Sequence, residues 1–108
     1  MTEQQSIIYR EWPHSPSHLF APNTAYIVTA GTYGKALLFN TPAKLDFLLQ
    51  SLFEEAERFQ WQLQAWAVMA NHYHFVAHAP ADAKTLRGFI GSFHSKTARW
   101  LNQQDQAP

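Results

Sequence analysis

Two strand-like segments joined by only two residues constrain the fold of this chain more than any other feature. Residues 61–69 and 72–79 each show the two-residue alternation of a β-strand, and Ala70-Asn71 separates them. So short a connection joins antiparallel neighbours, whereas parallel strands need a crossover of about a dozen residues or more. The pattern therefore predicts a β-hairpin at the centre of the fold.

The same alternation distributes the hairpin side chains between two faces of a sheet. Along the second strand, one face carries Tyr73, Phe75 and Ala77, and the other carries His72, His74, Val76 and His78. We expect the aromatic face to pack against helices. By the same alternation in the first strand, Trp66 and Val68 join Val76 on the histidine face. That apolar surface leads us to expect a homodimer.

The remaining segments supply one more strand and two helices. Residues 25–32, AYIVTAGT, are rich in β-branched and aromatic side chains and predict a strand. Thr41-Pro42 is typical of an N-cap followed by proline at the first helical position, and apolar residues recur at helical spacing as far as Phe59. Asp82 can cap a second helix that runs to residue 102.

The resulting order is βαββα, so the expected fold class is α/β (α+β). We expect a ferredoxin-like split βαβ arrangement, an antiparallel sheet with two helices on one face, incomplete at its C-terminus. Residues 1–108 are expected to form a single domain. Within it, residues 1–24 are predicted to be an irregular N-terminal arm, and residues 25–102 to be the core.

Composition narrows the classes of function. The chain lacks cysteine, which excludes disulfides, thiolate zinc sites and cysteine nucleophiles. No secretory signal or long apolar run is present, so we expect a soluble cytoplasmic protein without membrane contact. Eight Lys and Arg balance eight Asp and Glu, which argues against a general duplex-DNA binder unless the basic residues are segregated. Lys84, Arg87, Lys96 and Arg99 do cluster near the C-terminus.

Two histidines at positions i and i+2 of a strand point the same way and can bind one metal ion. His72 and His74 are therefore candidate ligands for a divalent ion. By spacing alone, chance placement is the more frequent explanation. His78 is too far along the strand to be a third ligand, and we expect it to be exposed. His94, near the polar boundary of the second helix, is expected to be solvated.

The segment AWAVMANHYHFVAHAP resembles the signature of HUH tyrosine transposases, in particular the REP-associated and single-strand insertion-sequence enzymes. In that family the segment reads roughly Trp-x-Val-Met-Pro-Asn-His-x-His. The matching residues are Trp66, Val68, Met69, Asn71, His72 and His74, and Ala70 stands where proline is commoner. Including YIVTAGTYGKALLF and TLRGFIGSFHSKTARWLN, the resemblance covers roughly residues 9–102.

The resemblance implies a DNA transposase that cleaves and joins single-stranded hairpin DNA with the help of Mg²⁺ or Mn²⁺. His72 and His74 would hold the ion, and a tyrosine hydroxyl would attack the phosphate. Candidate DNA contacts are Arg10, Trp12, Lys35, Arg87 and Arg99. Each of them has an alternative as an ordinary core or solvated surface residue.

The family tyrosine has no counterpart here, because it lies on a later helix, beyond the position of Pro108. We therefore expect either a truncated gene product or a cut fragment, inactive in cleavage by itself. One alternative is a non-catalytic nucleic-acid-binding remnant that competes with intact relatives for the same hairpins. Another is a metal-binding ferredoxin-like module unrelated to DNA.

Overall fold

The computed structural model describes residues 9–11 and 24–105, and only the backbone of the first segment. The strands are β1 (Tyr9–Glu11), β2 (Ala25–Thr32), β3 (Gln62–Met69) and β4 (His72–His78). The helices are α1 (Pro42–Arg58) and α2 (Leu86–Asp105), and short 3-10 turns occupy Tyr33–Lys35 and Ala83–Thr85. Within the described residues, no helix is long and apolar enough to cross a membrane.

The strands form one antiparallel sheet in the order β1-β2-β4-β3. The predicted hairpin is the β3–β4 pair, and β4 lies between β3 and β2. The expected α+β class, an antiparallel sheet accompanied by two helices, is confirmed. The prediction of an irregular N-terminal arm is wrong at Tyr9–Glu11, which pairs with the edge of β2. A three-residue strand is too short to show alternation, and its formation depends on a partner that is distant in sequence. The remainder of the arm lies outside the described residues.

Both expected capping residues accept a backbone hydrogen bond, but only Thr41 caps a helix directly. The Thr41 hydroxyl accepts a hydrogen bond from the Lys44 amide at 3.2 Å, and Pro42 opens α1. The Asp82 carboxylate accepts from the Lys84 amide at 3.1 Å, but it caps the 3-10 turn that precedes α2. Consequently α2 begins at Leu86 and continues to Asp105, three residues past the predicted end.

The core lies between the helices and the aromatic face of β4. Tyr73 and Phe75 are 1 % exposed. The Phe75 ring lies 5.5 Å from that of Phe89, and the Tyr73 ring lies 5.2 Å from that of Phe93, so α2 covers this face directly. Leu48, Leu52 and Ala56 of α1 complete the buried cluster. The core side of β4 therefore matches the alternation in the sequence.

A bulge at Gln64 in β3 reverses the predicted orientation of two large side chains. Leu63 pairs with Ala77, but Ala65 already pairs with Val76, so one residue of β3 has no partner. Beyond the bulge, Trp66 pairs with Phe75 and Val68 with Tyr73. Directly paired residues share a face, which places both on the helix side.

The expectation that Trp66 and Val68 lie on the histidine face is therefore wrong. The Trp66 ring meets that of Phe53 in α1 edge to face, with their centroids 5.0 Å apart. The apolar residues that the register leaves beside the histidines are mostly smaller: Ile27, Ala65, Ala67, Met69 and Val76. Homodimer formation, expected partly from Trp66 and Val68, loses that support and stays a prediction.

Substitution of Phe93 tests the assignment of the core. Phe93 is 0 % exposed and contacts Tyr73, so Phe93→Ala should lower the free energy of unfolding by about 3–5 kcal/mol. Leu37, which is 62 % exposed, is the control, and Leu37→Ala should change it by less than about 0.5 kcal/mol. Urea denaturation followed by tryptophan fluorescence measures both. Equal effects of the two substitutions would contradict the packing described.

Candidate metal and nucleic-acid site

The sheet has a second face, turned away from α1 and α2, which we call the histidine face. Register assigns to it the following residues of β2, β4 and β3: Ala25, Ile27, Thr29, Gly31, His72, His74, Val76, His78, Gln62, Ala65, Ala67 and Met69. No described helix covers this face, and Ile27 at its centre is 73 % exposed. The face has no carboxylate among these residues, so imidazoles are its main metal-binding groups.

His72 and His74 lie side by side on this face, as the alternation of β4 predicts. Their ring centroids are 5.0 Å apart and the ring planes cross at 81°. Both side chains are half-buried. Two imidazoles at this separation on one rigid strand can coordinate a common ion without rearrangement of the backbone.

Each of these two rings already has a partner at one nitrogen. His72 Nδ1 lies 2.7 Å from Asn71 Oδ1, and His74 Nδ1 lies 2.9 Å from Thr29 Oγ1. Histidines that bind metals usually donate a hydrogen bond from the nitrogen that does not bind the metal. The Nε2 atoms are thus left as the candidate ligand atoms, so the residues present fit a divalent ion with two protein nitrogens.

A third charged or imidazole ligand is not found in the described part of the chain. Among the described side chains, those of residues 24–105, no group of three or more His, Cys, Asp or Glu is placed to hold a metal. A bound ion would complete its coordination with water or with phosphate oxygens. Such a site is open to a substrate and weak in affinity.

The 3-10 turn Tyr33–Lys35 borders the histidine face at the end where β4 begins. The Thr32 amide donates to the Asn71 carbonyl at 2.9 Å, which fastens the start of this turn to the β3–β4 connection. Gly34 and Lys35 both have positive φ, of 65° and 57°. Tyr33 and Lys35 are both exposed in this turn, so it adds an aromatic and a cationic residue to the border of the histidine face.

The other candidate DNA contacts are not gathered at this place. Arg87 and Arg99 are exposed on α2, and the sheet separates their layer from the histidine face. The backbone of Arg10 pairs with Gly31, which in turn pairs with His72. The Arg10 side chain is not among those that the structure describes. Trp12 lies outside the described residues. Of the five, Lys35 is the residue whose described position borders the histidines.

A buried polar pair lies directly beneath the histidine strand. The Tyr73 hydroxyl and His94 Nε2 are 2.6 Å apart, and both residues are buried. The expectation of a solvated His94 is wrong, because the ring packs beside Tyr73 and Phe93. A signal was present in the sequence, since His94 follows Ile90 by four residues and precedes Thr97 by three on the apolar helical stripe. Burial lowers the pKa of His94 to about 3.

A layer of two helices on an antiparallel sheet whose other face carries adjacent histidines defines a small α+β protein with a candidate metal site. The family model described as "Transposase IS200 like" matches residues 24–107, more than three quarters of the chain. The chain therefore belongs to the IS200-like transposase family, and the suspected resemblance is confirmed. Comparison with curated proteins and with solved structures finds no significant match.

The buried His94 should make folding sensitive to mild acid. The unfolded chain binds a proton at this imidazole near pH 6.5, whereas the folded protein does so only near pH 3. Its contribution is thus fully present above pH 6.5 and is lost as the pH falls from 6.5 towards 3. Between pH 7 and pH 5 the free energy of unfolding should drop by about 2 kcal/mol on this account.

Urea denaturation at both pH values, on the wild type and His94→Gln, measures this loss. In His94→Gln most of this pH-dependent decrease in the free energy of unfolding should disappear, whether or not the variant is as stable as the wild type at pH 7. His78→Gln, which removes an imidazole that is not buried, is the matched control and should keep the wild-type dependence. An unaltered pH dependence in His94→Gln would contradict the assignment.

Proposed function

We propose that this chain is the metal- and DNA-binding part of an HUH-type transposase that acts on single-stranded hairpin DNA. Membership of the IS200-like family gives the general activity, which is transposition of DNA. The observation that supports the finer proposal is the His72–His74 pair on the histidine face, with rings 5.0 Å apart and both Nδ1 atoms engaged.

In the proposed mechanism His72 and His74 would hold Mg²⁺ or Mn²⁺, with Nε2 as the candidate ligand atom of each ring. When bound, the ion would supply Lewis-acid polarisation of a phosphate. The strand β4 keeps the two imidazoles in register, since Tyr73 between them is anchored in the core. Thr29 and Asn71 orient the rings from the sides.

The exposed turn Tyr33–Lys35 is the proposed entry point for the nucleic acid. The Lys35 ammonium can pair with a backbone phosphate, and the Tyr33 ring can stack on an unpaired base. Unpaired bases expose the faces that an aromatic side chain needs, which favours single strands and hairpin loops over duplex. Arg10, Trp12, Arg87 and Arg99 stay additional candidate contacts for flanking nucleotides.

A second candidate function is DNA binding without cleavage. Of the tyrosines with described side chains, Tyr26 and Tyr73 are buried on the helix side of the sheet. Tyr33 is exposed in the turn. Within residues 24–105 the sheet thus offers no tyrosine on the histidine face as a nucleophile. This observation supports a non-catalytic nucleic-acid-binding protein that occupies the same hairpins.

Loss of the two histidines should abolish metal binding. We expect the wild type to bind Mn²⁺ weakly, since two protein nitrogens leave most of the coordination to water. The His72→Ala/His74→Ala variant should bind no more Mn²⁺ than background, as measured by electron paramagnetic resonance titration. His78→Ala, on the same face and strand, is the matched control and should bind like the wild type. Equal binding by wild type and double variant would refute the site.

Neutralising Lys35 should weaken hairpin binding and its dependence on salt. For the wild type, the logarithm of the association constant for a labelled single-stranded hairpin should fall linearly with that of salt concentration. Lys35→Gln should reduce the magnitude of that slope by about 1, the contribution of one phosphate contact.

The matched control is Lys84→Gln, since Lys84 is also exposed in a 3-10 turn but follows the opposite end of β4. Fluorescence anisotropy over a series of salt concentrations measures all three proteins. Wild-type protein that binds no hairpin even at low salt would overturn the DNA-binding proposal. A wild-type slope in Lys35→Gln would remove Lys35 from the interface.

A further inference from the structure

Asn71 connects the first histidine of the pair to the exposed turn. It occupies the second position of the two-residue β3–β4 connection, directly before His72. Its Oδ1 atom lies 2.7 Å from His72 Nδ1, and its Nδ2 atom donates to the Lys35 carbonyl at 3.3 Å. Its main-chain carbonyl accepts a hydrogen bond from the Thr32 amide at 2.9 Å. Both the oxygen and the nitrogen of the Asn71 side-chain amide therefore have a partner.

These contacts determine which nitrogen of His72 carries the proton. A carbonyl oxygen can only accept, so the amide nitrogen of Asn71 must be the end that faces the Lys35 carbonyl. Asn71 Oδ1 is then the end that faces His72, and it too can only accept. A neutral His72 ring must accordingly hold its proton on Nδ1 and keep the lone pair of Nε2 free. That tautomer is the one in which Nε2 can bind a metal ion.

We propose that Asn71 is a positioning residue that selects the metal-binding tautomer of His72 and couples it to the Tyr33–Lys35 turn. The inference rests on the metal site of the proposed function. Asn71 itself touches neither the ion nor the reacting phosphate. Its effect passes through the His72 ring, which it holds in one tautomer and one orientation.

The coupling follows from the backbone of the turn. Gly34 and Lys35 both adopt left-handed backbone conformations, so the direction of the Lys35 carbonyl depends on an uncommon local geometry. Asn71 Nδ2 is hydrogen-bonded to that carbonyl, while Oδ1 of the same planar amide contacts the His72 ring. The position of the Lys35 carbonyl therefore influences the orientation of the amide, and the amide that of the ring. A nucleic acid that contacts Lys35 or Tyr33 would therefore act on a segment hydrogen-bonded to the ligand that holds the ion.

The tautomer can be measured without metal. Long-range ¹H–¹⁵N spectra of histidine-labelled, metal-free protein at pH 8 distinguish the two neutral forms of each imidazole. We expect the wild type to show His72 with its proton on Nδ1, and Asn71→Ala to show a mixture of both tautomers. Asn71→Asp keeps an acceptor oxygen and loses the donor to Lys35, so it should retain the wild-type tautomer. Asn40→Ala removes an exposed asparagine amide elsewhere and should leave the His72 signals unchanged.

Metal affinity gives a second readout on the same proteins. Mn²⁺ titration should show binding about tenfold weaker in Asn71→Ala than in the wild type, the effect typical of lost partners of metal-binding histidines. Asn71→Asp should bind at least as tightly as the wild type. The backbone amide spectrum of each sample reports whether the variant is folded.

The outcomes separate this inference from the proposed function. Wild-type His72 protonated on Nε2 would overturn the role of Asn71 without reference to any variant. An unchanged tautomer together with unchanged Mn²⁺ affinity in Asn71→Ala would overturn it as well. Failure of the wild type to bind Mn²⁺ would instead overturn the metal site, and with it the purpose proposed for the tautomer.

Discussion

The alternation of β4 is the constraint on which the rest of the structure depends. Its buried residues anchor the sheet to α2 through contacts among aromatic rings, with Tyr73 and Phe75 almost inaccessible to solvent. Because neighbouring side chains of a strand point to opposite faces, that anchoring simultaneously projects His72 and His74 away from the helices. The placement of the candidate site is therefore a consequence of the packing of the core. A one-residue slip of this strand would exchange the two sets of side chains.

The alternation of side chains is interrupted once in β3, and this interruption limits which residues lie beside the histidines. The bulge at Gln64 turns Trp66 and Val68 towards the helices, where Trp66 packs on Phe53. The histidine face keeps smaller residues on its β3 side, among them Ala65 and Ala67. Ala67 pairs directly with His74, so the β3 side chain beside that imidazole is a single methyl group. One extra residue thus helps to define the shape of the site.

Polar contacts then join parts of the chain that are far apart in sequence. Asn71 ties His72 to the turn at Lys35, and Thr29 of β2 approaches the ring of His74. On the buried side, Tyr73 reaches His94 of α2. The two histidines are consequently held by the hairpin turn, by a neighbouring strand and by the core. The chain belongs to the IS200-like transposase family, whose general activity is the transposition of DNA.

The sequence by itself determined both helices, the strand β2, the β3–β4 hairpin and the identity of the paired histidines. Short-range periodicity predicts α1, α2 and the hairpin, capping chemistry at Thr41 locates the start of α1, and strand parity places His72 beside His74. Tertiary structure decided what periodicity cannot encode. The pairing of Tyr9–Glu11, the bulge at Gln64, the burial of His94 and the contacts of Asn71 each depend on a partner remote in the chain. A local sequence pattern predicts which face a side chain occupies along an uninterrupted helix or strand. It does not predict where a β-bulge interrupts a strand, or which distant oxygen contacts a ring nitrogen, because both depend on how the layers pack.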